Sequence, residues 1–317
     1  MCITPVLATL SGDVHSFKNG VVTSSGYRYI DFASVSGAEA MSKEVLMDFT
    51  NIKNEMTGTR IRVATYNVGN YTGVGLKRGA EDTRLAYVEL MESVGADLWA
   101  LQEDEKYTDN ESTEASGTVP YDAIYKNVLP NHQGFFTGKY NGKAFLSKLE
   151  LKDVQQIYYP APETSYTSSV YHYGHRWFLS GKIEFEGKEI TIISLHLDWN
   201  CKERRATQIK ELVKYAKEQE YCIIMGDFNP EDYVNNVEIS KALFYKEELA
   251  LFGEIGMTWA NAGKFGTFDT LVSGDESLCG PWDNVLVSSN MEIVYAERVT
   301  ADWMNDHAIV VAEIAIN

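Results

Sequence analysis

Six short apolar runs, each with polar residues clustered at one end, constrain this chain more than any other feature. Four finish in the polar cluster: Ile61–Ala64 in Tyr66-Asn67, Leu98–Leu101 in Gln102-Glu103, Ile190–Leu195 in His196-Leu197-Asp198, and Cys222–Met225 in Gly226-Asp227-Phe228-Asn229. Two begin with it: Trp282-Asp283-Asn284 before Val285–Val287, and Asn305-Asp306-His307 before Ala308–Val311. A short apolar run of this kind reads as a buried strand. With the first four strands running one way and the last two the other, all six clusters fall on one rim. That rim carries Asn67, Glu103, His196, Asp198, Asp227, Asn229, Asp283, Asp306 and His307. Crowded carboxylates raise one another's pKa unless a cation relieves them. The rim therefore asks for a hard divalent metal and a histidine partner.

The chain has 317 residues, room for one large α/β domain or two smaller ones with a substantial core. Its formal net charge of -17 argues against avid, sequence-independent duplex binding, which relies on Lys and Arg releasing counterions. Only a local patch could supply such binding, either Lys202, Arg204 and Arg205 or Lys139, Lys143 and Lys148. An enzyme that turns DNA over is not excluded by charge. Cys2, Cys201, Cys222 and Cys279 lie far apart with no Cys-x-x-Cys pair, so neither a zinc site nor a disulfide framework is indicated. The first residues lack a basic stretch and are interrupted by Pro5, which speaks against a secretory signal. No segment approaches the length of a membrane span. The expected location is cytoplasmic.

Residues 1–58 differ in character from the rest and read as an N-terminal extension. Val14–Phe32 resembles a small β unit, Ala38–Met56 a short amphipathic helix, and Thr57-Gly58-Thr59 a joint. Such a piece either packs on the domain or serves attachment or self-association, in the manner of phage-tail proteins; a phage origin would make the protein virion-associated. Residues 59–317 alternate strands and helices. Glu81–Val94 reads as a helix with Leu85, Val88, Leu90, Met91 and Val94 on or near one face. Cys201–Gln219 reads as another, with a stripe of Ala206, Ile209, Leu212, Val213 and Ala216. Lys143–Leu149, Gln155–Tyr159, Trp177–Glu186 and Glu189–Leu197 read as strands, and Thr108–Val119 as a surface loop. The tyrosine-rich stretch Tyr158–His175, including Tyr173, is either a loop pinned by amphipathic aromatics or a wall that stacks on substrate.

Taken singly, Glu103 at a strand end and Asp306-His307 at a strand start are ordinary. Gly226-Asp227-Phe228-Asn229 says more, because Asp227 and Asn229 point the same way on an extended segment. Together, in this order, Thr65-Tyr66-Asn67-Val68, Leu101-Gln102-Glu103, Ser194-Leu195-His196, Gly226-Asp227-Phe228-Asn229, Trp282-Asp283-Asn284-Val285 and Asp306-His307 resemble the endonuclease/exonuclease/phosphatase superfamily, the deoxyribonuclease I-like fold. The resemblance spans roughly Ile61 to Ile316. It implies a four-layer α/β sandwich of two packed mixed β-sheets flanked by helices, and a Mg2+- or Mn2+-dependent hydrolase acting on phosphoester bonds.

Carried over by position, Asn67, Glu103 and Asp306 would hold the metal. Asp227 would orient or deprotonate the attacking water, and Asn229 would hydrogen-bond phosphoryl oxygens. Asp283 would keep His307 protonated and aligned, and His196 would stand near the leaving group. Arg176 would contact phosphate, with Tyr173 a candidate substrate contact. Three departures leave the branch open: Gly69 replaces the acidic residue of abasic-site repair members, Asn284 stands where an Arg is favoured, and Pro230-Glu231-Asp232 replaces the phosphoinositide pattern. The leading expectation is a phosphodiesterase, most commonly a nuclease acting on DNA or RNA. The alternative is a phosphomonoesterase or phospholipid phosphodiesterase, inositol-phosphatase- or sphingomyelinase-like, and the third is a non-catalytic binding module.

Overall fold

The computed structural model describes residues 21–22, 28–29, 60–71, 81–104, 123–137, 142–160, 176–198, 201–230, 247–261, 267, 281–299 and 305–317. The strands, in chain order, are β1 (Val21–Val22), β2 (Arg28–Tyr29), β3 (Arg60–Asn67), β4 (Leu98–Gln102), β5 (Gln133–Phe136), β6 (Lys143–Ser147) and β7 (Lys152–Tyr158). They continue as β8 (Trp177–Phe185), β9 (Lys188–His196), β10 (Cys222–Asp227), β11 (Thr258–Trp259), β12 (Asp283–Val287), β13 (Met291–Val299) and β14 (Ile309–Ile316). The helices are α1 (Glu81–Val94), α2 (Ala123–Val128), α3 (Lys202–Lys217) and α4 (Leu249–Glu254).

Two six-stranded sheets form, one in the order β13-β14-β3-β4-β6-β5 and the other β11-β12-β10-β9-β8-β7. In the first, β3 and β4 are parallel and β14 is antiparallel to β3. In the second, β9 and β10 are parallel and β12 is antiparallel to β10. The four strands that end in polar clusters therefore run in parallel pairs, and the two that begin with them run opposite, which is the arrangement one shared rim requires. Register makes this concrete: Asn67 lies opposite Gln102, and Asp227 opposite both His196 and Asp283.

The apolar runs are unbroken because the strands are covered on both faces. From β3, Ile61 and Val63 join Leu98, Phe145, Ile192, Ile223, Met225 and Val285 in the core between the sheets. Ala64 and Tyr66, from the other face of β3, pack with Tyr87, Val88, Met91 and Tyr125 of α1 and α2. On the far side, Cys222 and Ile224 of β10 meet Ile209, Leu212 and Phe252 of α3 and α4. Burying a side chain such as Leu212 is worth about 1.5–3 kcal/mol. The result is the expected four-layer sandwich.

Side chains depart from the sequence reading in two helices. Leu85 of α1 is exposed, and Tyr87 fills the sheet-facing stripe with Val88, Met91 and Val94. In α3 the buried face includes Arg205 in place of Ala206; its guanidinium meets the Glu248 carboxylate at 3.0 Å and ties α3 to the start of α4. Elements α2, β5, α4, β11 and β13 carry no clear pattern in sequence. β13 is an edge strand with alternating exposure and a register shift near Ile293, which dilutes its periodicity. In the N-terminal segment, β1 pairs antiparallel with β2, Val21 opposite Tyr29. The helix expected over Ala38–Met56, the joint at 57–59, the loop Thr108–Val119 and Tyr173 with its neighbours lie outside the described residues.

Candidate active site

The centre of the rim is Asp227, the last residue of β10, fully buried. It can end there only because residue 226 is glycine. Gly226 has φ +147°, and a Cβ on it would fall 2.1 Å from the Leu195 carbonyl oxygen of the neighbouring strand. The Asp227 carboxylate accepts from the Asn229 backbone N–H at 2.9 Å and from Asn67 Nδ2 at 3.1 Å. His307 Nε2 lies 3.8 Å and His196 Nε2 3.5 Å from Asp227 Oδ2. Burial pushes the Asp227 carboxyl up to about 7, aided by the nearby Asp283 and opposed by His307.

His307 is fixed from behind by Asp283, whose Oδ2 is 2.9 Å from Nδ1. Burial alone would depress this imidazole, but Asp283, Asp227 and Asp306 outweigh it and carry its pKa up to about 10. The ring is a cation at neutral pH, edge-on to Trp282 at 6.1 Å. Thr267 holds both partners in place. Its hydroxyl accepts from the Asp283 N–H at 2.9 Å and its carbonyl from the Ala308 N–H at 2.6 Å. Nothing in the sequence pattern singles out Thr267.

On the opposite flank His196 sits 3.8 Å from Glu103 Oε1. Burial, with Arg176, Lys143 and His307 nearby, keeps its pKa well below the usual histidine value, so this imidazole is neutral. Arg176 is buried and its Nη1 donates to the carbonyls of His196, at 3.0 Å, and Leu197. Asn229 has φ +47° and donates Nδ2 to the Leu197 carbonyl at 3.0 Å, which leaves the amide's second N–H for another acceptor. Asp198 faces α3. Its Oδ1 accepts from the Cys201 N–H at 2.9 Å and its Oδ2 lies 3.2 Å from Arg204. Lys143, fully buried, lays its ammonium 3.9 Å from the Trp177 ring centroid, close enough to act on His196.

Glu103 follows β4 in the left-handed region at φ +53°, with its side chain 31 % exposed at the mouth. Asn67 bridges it to Asp227, its Nδ2 lying 3.3 Å from Glu103 Oε1. The Asn67 Oδ1 accepts from the Gly69 N–H at 3.0 Å. In this arrangement Asn67 is a hydrogen-bond bridge, and ligating a cation through Oδ1 requires the amide to turn over. Asp306 lies beside Gly69. A Cβ on Gly69 (φ +50°) would stand 2.9 Å from Asn305 Oδ1 and 3.7 Å from Asp306 Oδ1, so a side chain here would strain the backbone and push the Asn305 amide aside. Asn284 faces away from the site, its amide clasping the Asn261 backbone at 2.9 Å in both directions.

Two sets of side chains could hold a cation. Ligand atoms of Asp227, Asp283 and His307 all lie within 4.8 Å of one another. A protonated imidazole whose Nδ1 is already paired with Asp283 does not ligate, which counts against that set. Glu103, Asn67 and Asp306 offer oxygen donors of the kind magnesium prefers, with few carboxylates and room for water and phosphate. Burial, with Asp283 nearby, raises the Asp227 pKa, and a cation on neighbouring Glu103 would lower it. The residues fit a hard divalent ion.

Comparison with known structures finds the same architecture. An endonuclease/exonuclease/phosphatase from Beutenbergia cavernae superposes with a TM-score of 0.61 at 14% identity, covering 82% of this chain and 72% of that one. Its counterpart from Bacteroides vulgatus gives 0.59 at 15%, covering 82% of this chain and 100% of that one. D. rerio TDP2 complexed with single strand DNA product gives 0.54 at 17%, covering 81% and 99%. Comparison with curated proteins by sequence gives no match. The sequence model of the Endonuclease/Exonuclease/phosphatase family matches residues 64–300, from within β3 to just past β13. The chain belongs to the endonuclease/exonuclease/phosphatase family.

Proposed function

We propose that the protein is a divalent-metal-dependent phosphodiesterase acting on nucleic acid. The observation that carries this reading is the line Asp283–His307–Asp227, a buried carboxylate holding an imidazolium 3.8 Å from a carboxyl poised near neutrality. Phosphodiester hydrolysis needs both partners. Asp227 takes a proton from water as its oxygen attacks phosphorus, and cationic His307 stabilises the charge that builds on the non-bridging oxygens. As the P–O ester bond opposite the attack breaks, neutral His196 donates a hydrogen bond to the leaving oxygen, which takes its proton from solvent. Asp227, 3.5 Å from His196, then gives up to solvent the proton it took from the attacking water. Magnesium or manganese held by Glu103, with Asn67 and Asp306, supplies Lewis-acid polarisation of the phosphoryl oxygen when bound. Arg176 acts by holding the carbonyls of His196 and Leu197, and so aligning His196.

The similarity to TDP2 captured with a single-strand DNA product supports nucleic acid over a small phosphomonoester. The test is incubation with supercoiled plasmid and with a single-stranded oligonucleotide in Mg2+, beside chelated samples and the His307→Ala and Asp227→Asn proteins. Cleavage that needs the metal and both residues is expected, with each variant losing about 10²–10⁴-fold in rate. Intact DNA with phosphate released from an inositol phosphate would replace the diesterase reading with a monoesterase one. Variants as active as wild type would remove the proposed chemistry altogether.

A further inference from the structure

Two residues flanking the proposed cation edge, Tyr71 and Glu103, sit at φ +57° and +53°, a region that side chains other than glycine seldom occupy. Such conformations persist only where the surroundings over-determine them. Tyr71 closes the turn that Asn67 opens, its N–H donating to the Val68 carbonyl at 2.7 Å. Asp104 follows Glu103, and its N–H donates to the Gly142 carbonyl at 3.1 Å. The two turns are joined behind the site, where the Tyr71 hydroxyl donates to Asp104 Oδ1 at 2.5 Å and also meets the Tyr125 hydroxyl from α2. The Arg84 guanidinium of α1 lies 4.6 Å from the centroid of the Tyr71 ring, and Tyr87 packs edge-on at 5.4 Å. Tyr71 and Tyr125 are fully buried. The proposed mechanism uses none of Tyr71, Asp104, Tyr125 and Arg84.

We infer that Tyr71 and Asp104 are positioning residues for the metal: their buried hydrogen bond fixes the spacing between the turn bearing Asn67 and the turn bearing Glu103. This rests on the phosphodiesterase reading above, which assigns Glu103 and Asn67 to the cation. Without the link the strand ends stay tied by the Val68 N–H on the Gln102 carbonyl, at 2.9 Å, but the turns beyond them can relax toward an unstrained backbone and carry the Glu103 carboxylate with them. Groups that orient metal ligands from behind are worth about 10–100-fold in affinity.

The experiment is a direct titration of the full-length, metal-free protein with Mn2+, followed by paramagnetic resonance, on wild type, Tyr71→Phe, Asp104→Asn, Asp227→Asn and Glu313→Gln. Tyr71→Phe is expected to weaken Mn2+ about tenfold. Asp104→Asn, whose amide oxygen still accepts from Tyr71, should weaken it by a smaller factor. The metal concentration for half-maximal hydrolysis should rise by the same factors, with kcat at saturating metal little changed. Glu313→Gln breaks the buried pair with Arg62, 2.8 Å long, at the other end of β3, and controls for lost stability. It should lower the melting temperature and leave Mn2+ affinity alone. Should Tyr71→Phe lower the melting temperature like Glu313→Gln but bind Mn2+ as wild type does, the positioning role is overturned. A wild type that binds no Mn2+ overturns the metal reading and this role with it. Inactive Asp227→Asn that still binds Mn2+, beside unaffected Tyr71→Phe, overturns the positioning role alone.

Discussion

Asp227 illustrates how a residue can be costly to the fold and, in the proposed mechanism, necessary to the chemistry. Burial raises its folded pKa from 3.8 to about 7. Between those values the metal-free folded protein holds a proton that the unfolded chain has released. The stability this group contributes is therefore complete below 3.8 and is lost as pH rises through about 7. His307 is charged in both states over the lower part of that window, since its pKa is raised from 6.5, so it does not mask the trend there. Asp227→Asn removes the ionisable group. Its melting temperature should gain on that of wild type by several degrees as pH goes from about 4 to 6.5, while hydrolysis is lost. Melting curves of the metal-free proteins across that range check it; parallel pH dependences would show that Asp227 is not a buried, unrelieved acid. Asp283→Asn acts on the partner. Loss of the carboxylate lets burial depress His307, so the alkaline limb of the pH–rate profile should move to lower pH, and an unmoved limb would free His307 from that role.

At the scale of strands and helices, the polar clusters were legible because each ends or begins an apolar run, and a doubly covered strand cannot disguise such a run. The helix Glu81–Val94 was legible to the residue, but its buried face was not. Leu85 and Tyr87 compete for a stripe that hydropathy alone awards to leucine. Arg205 was missed for a related reason: periodicity treats a cation as surface, yet this one is buried against Glu248 at 3.0 Å. Thr267 belongs to no apolar period and acts through its hydroxyl and carbonyl, so only the folded backbone reveals it. Arg205→Ala should cost about 3–5 kcal/mol by stranding the Glu248 charge, whereas Arg205→Met with Glu248→Leu should cost far less. Urea unfolding of the single and double variants separates the two. At Gly226 the backbone of β9 comes too close for any side chain. Gly226→Ala should therefore cost several kcal/mol, because β10 must shift off Leu195 to admit a methyl group.

If the substrate is nucleic acid, as proposed, the whole molecule has to bring a polyanion to a rim of carboxylates while carrying a net charge of -17. The basic patches visible in the sequence do not relieve this. Lys202 lies 3.5 Å from Glu247, Arg204 3.2 Å from Asp198, Arg205 3.0 Å from Glu248, and Lys148 2.9 Å from Asp97. Lys143 is buried over Trp177. Among the described residues these cations are committed to neighbours, so long-range electrostatics oppose the encounter with nucleic acid. Screening reduces that opposition, since the Debye length falls from about 30 Å at 0.01 M salt to about 8 Å at 0.15 M. At fixed Mg2+, kcat/KM for a single-stranded oligonucleotide should rise severalfold as NaCl goes from about 10 to 150 mM. A small monoanionic diester should show little change over the same range. Proteins that grip phosphates through counterion release behave the opposite way, losing affinity steeply with salt. A falling, steep salt dependence with the oligonucleotide would mean that a basic track outside the described residues does the gripping. A rising one would mean that recognition is local, made at the metal, at His307 and at the few groups that reach the scissile phosphate.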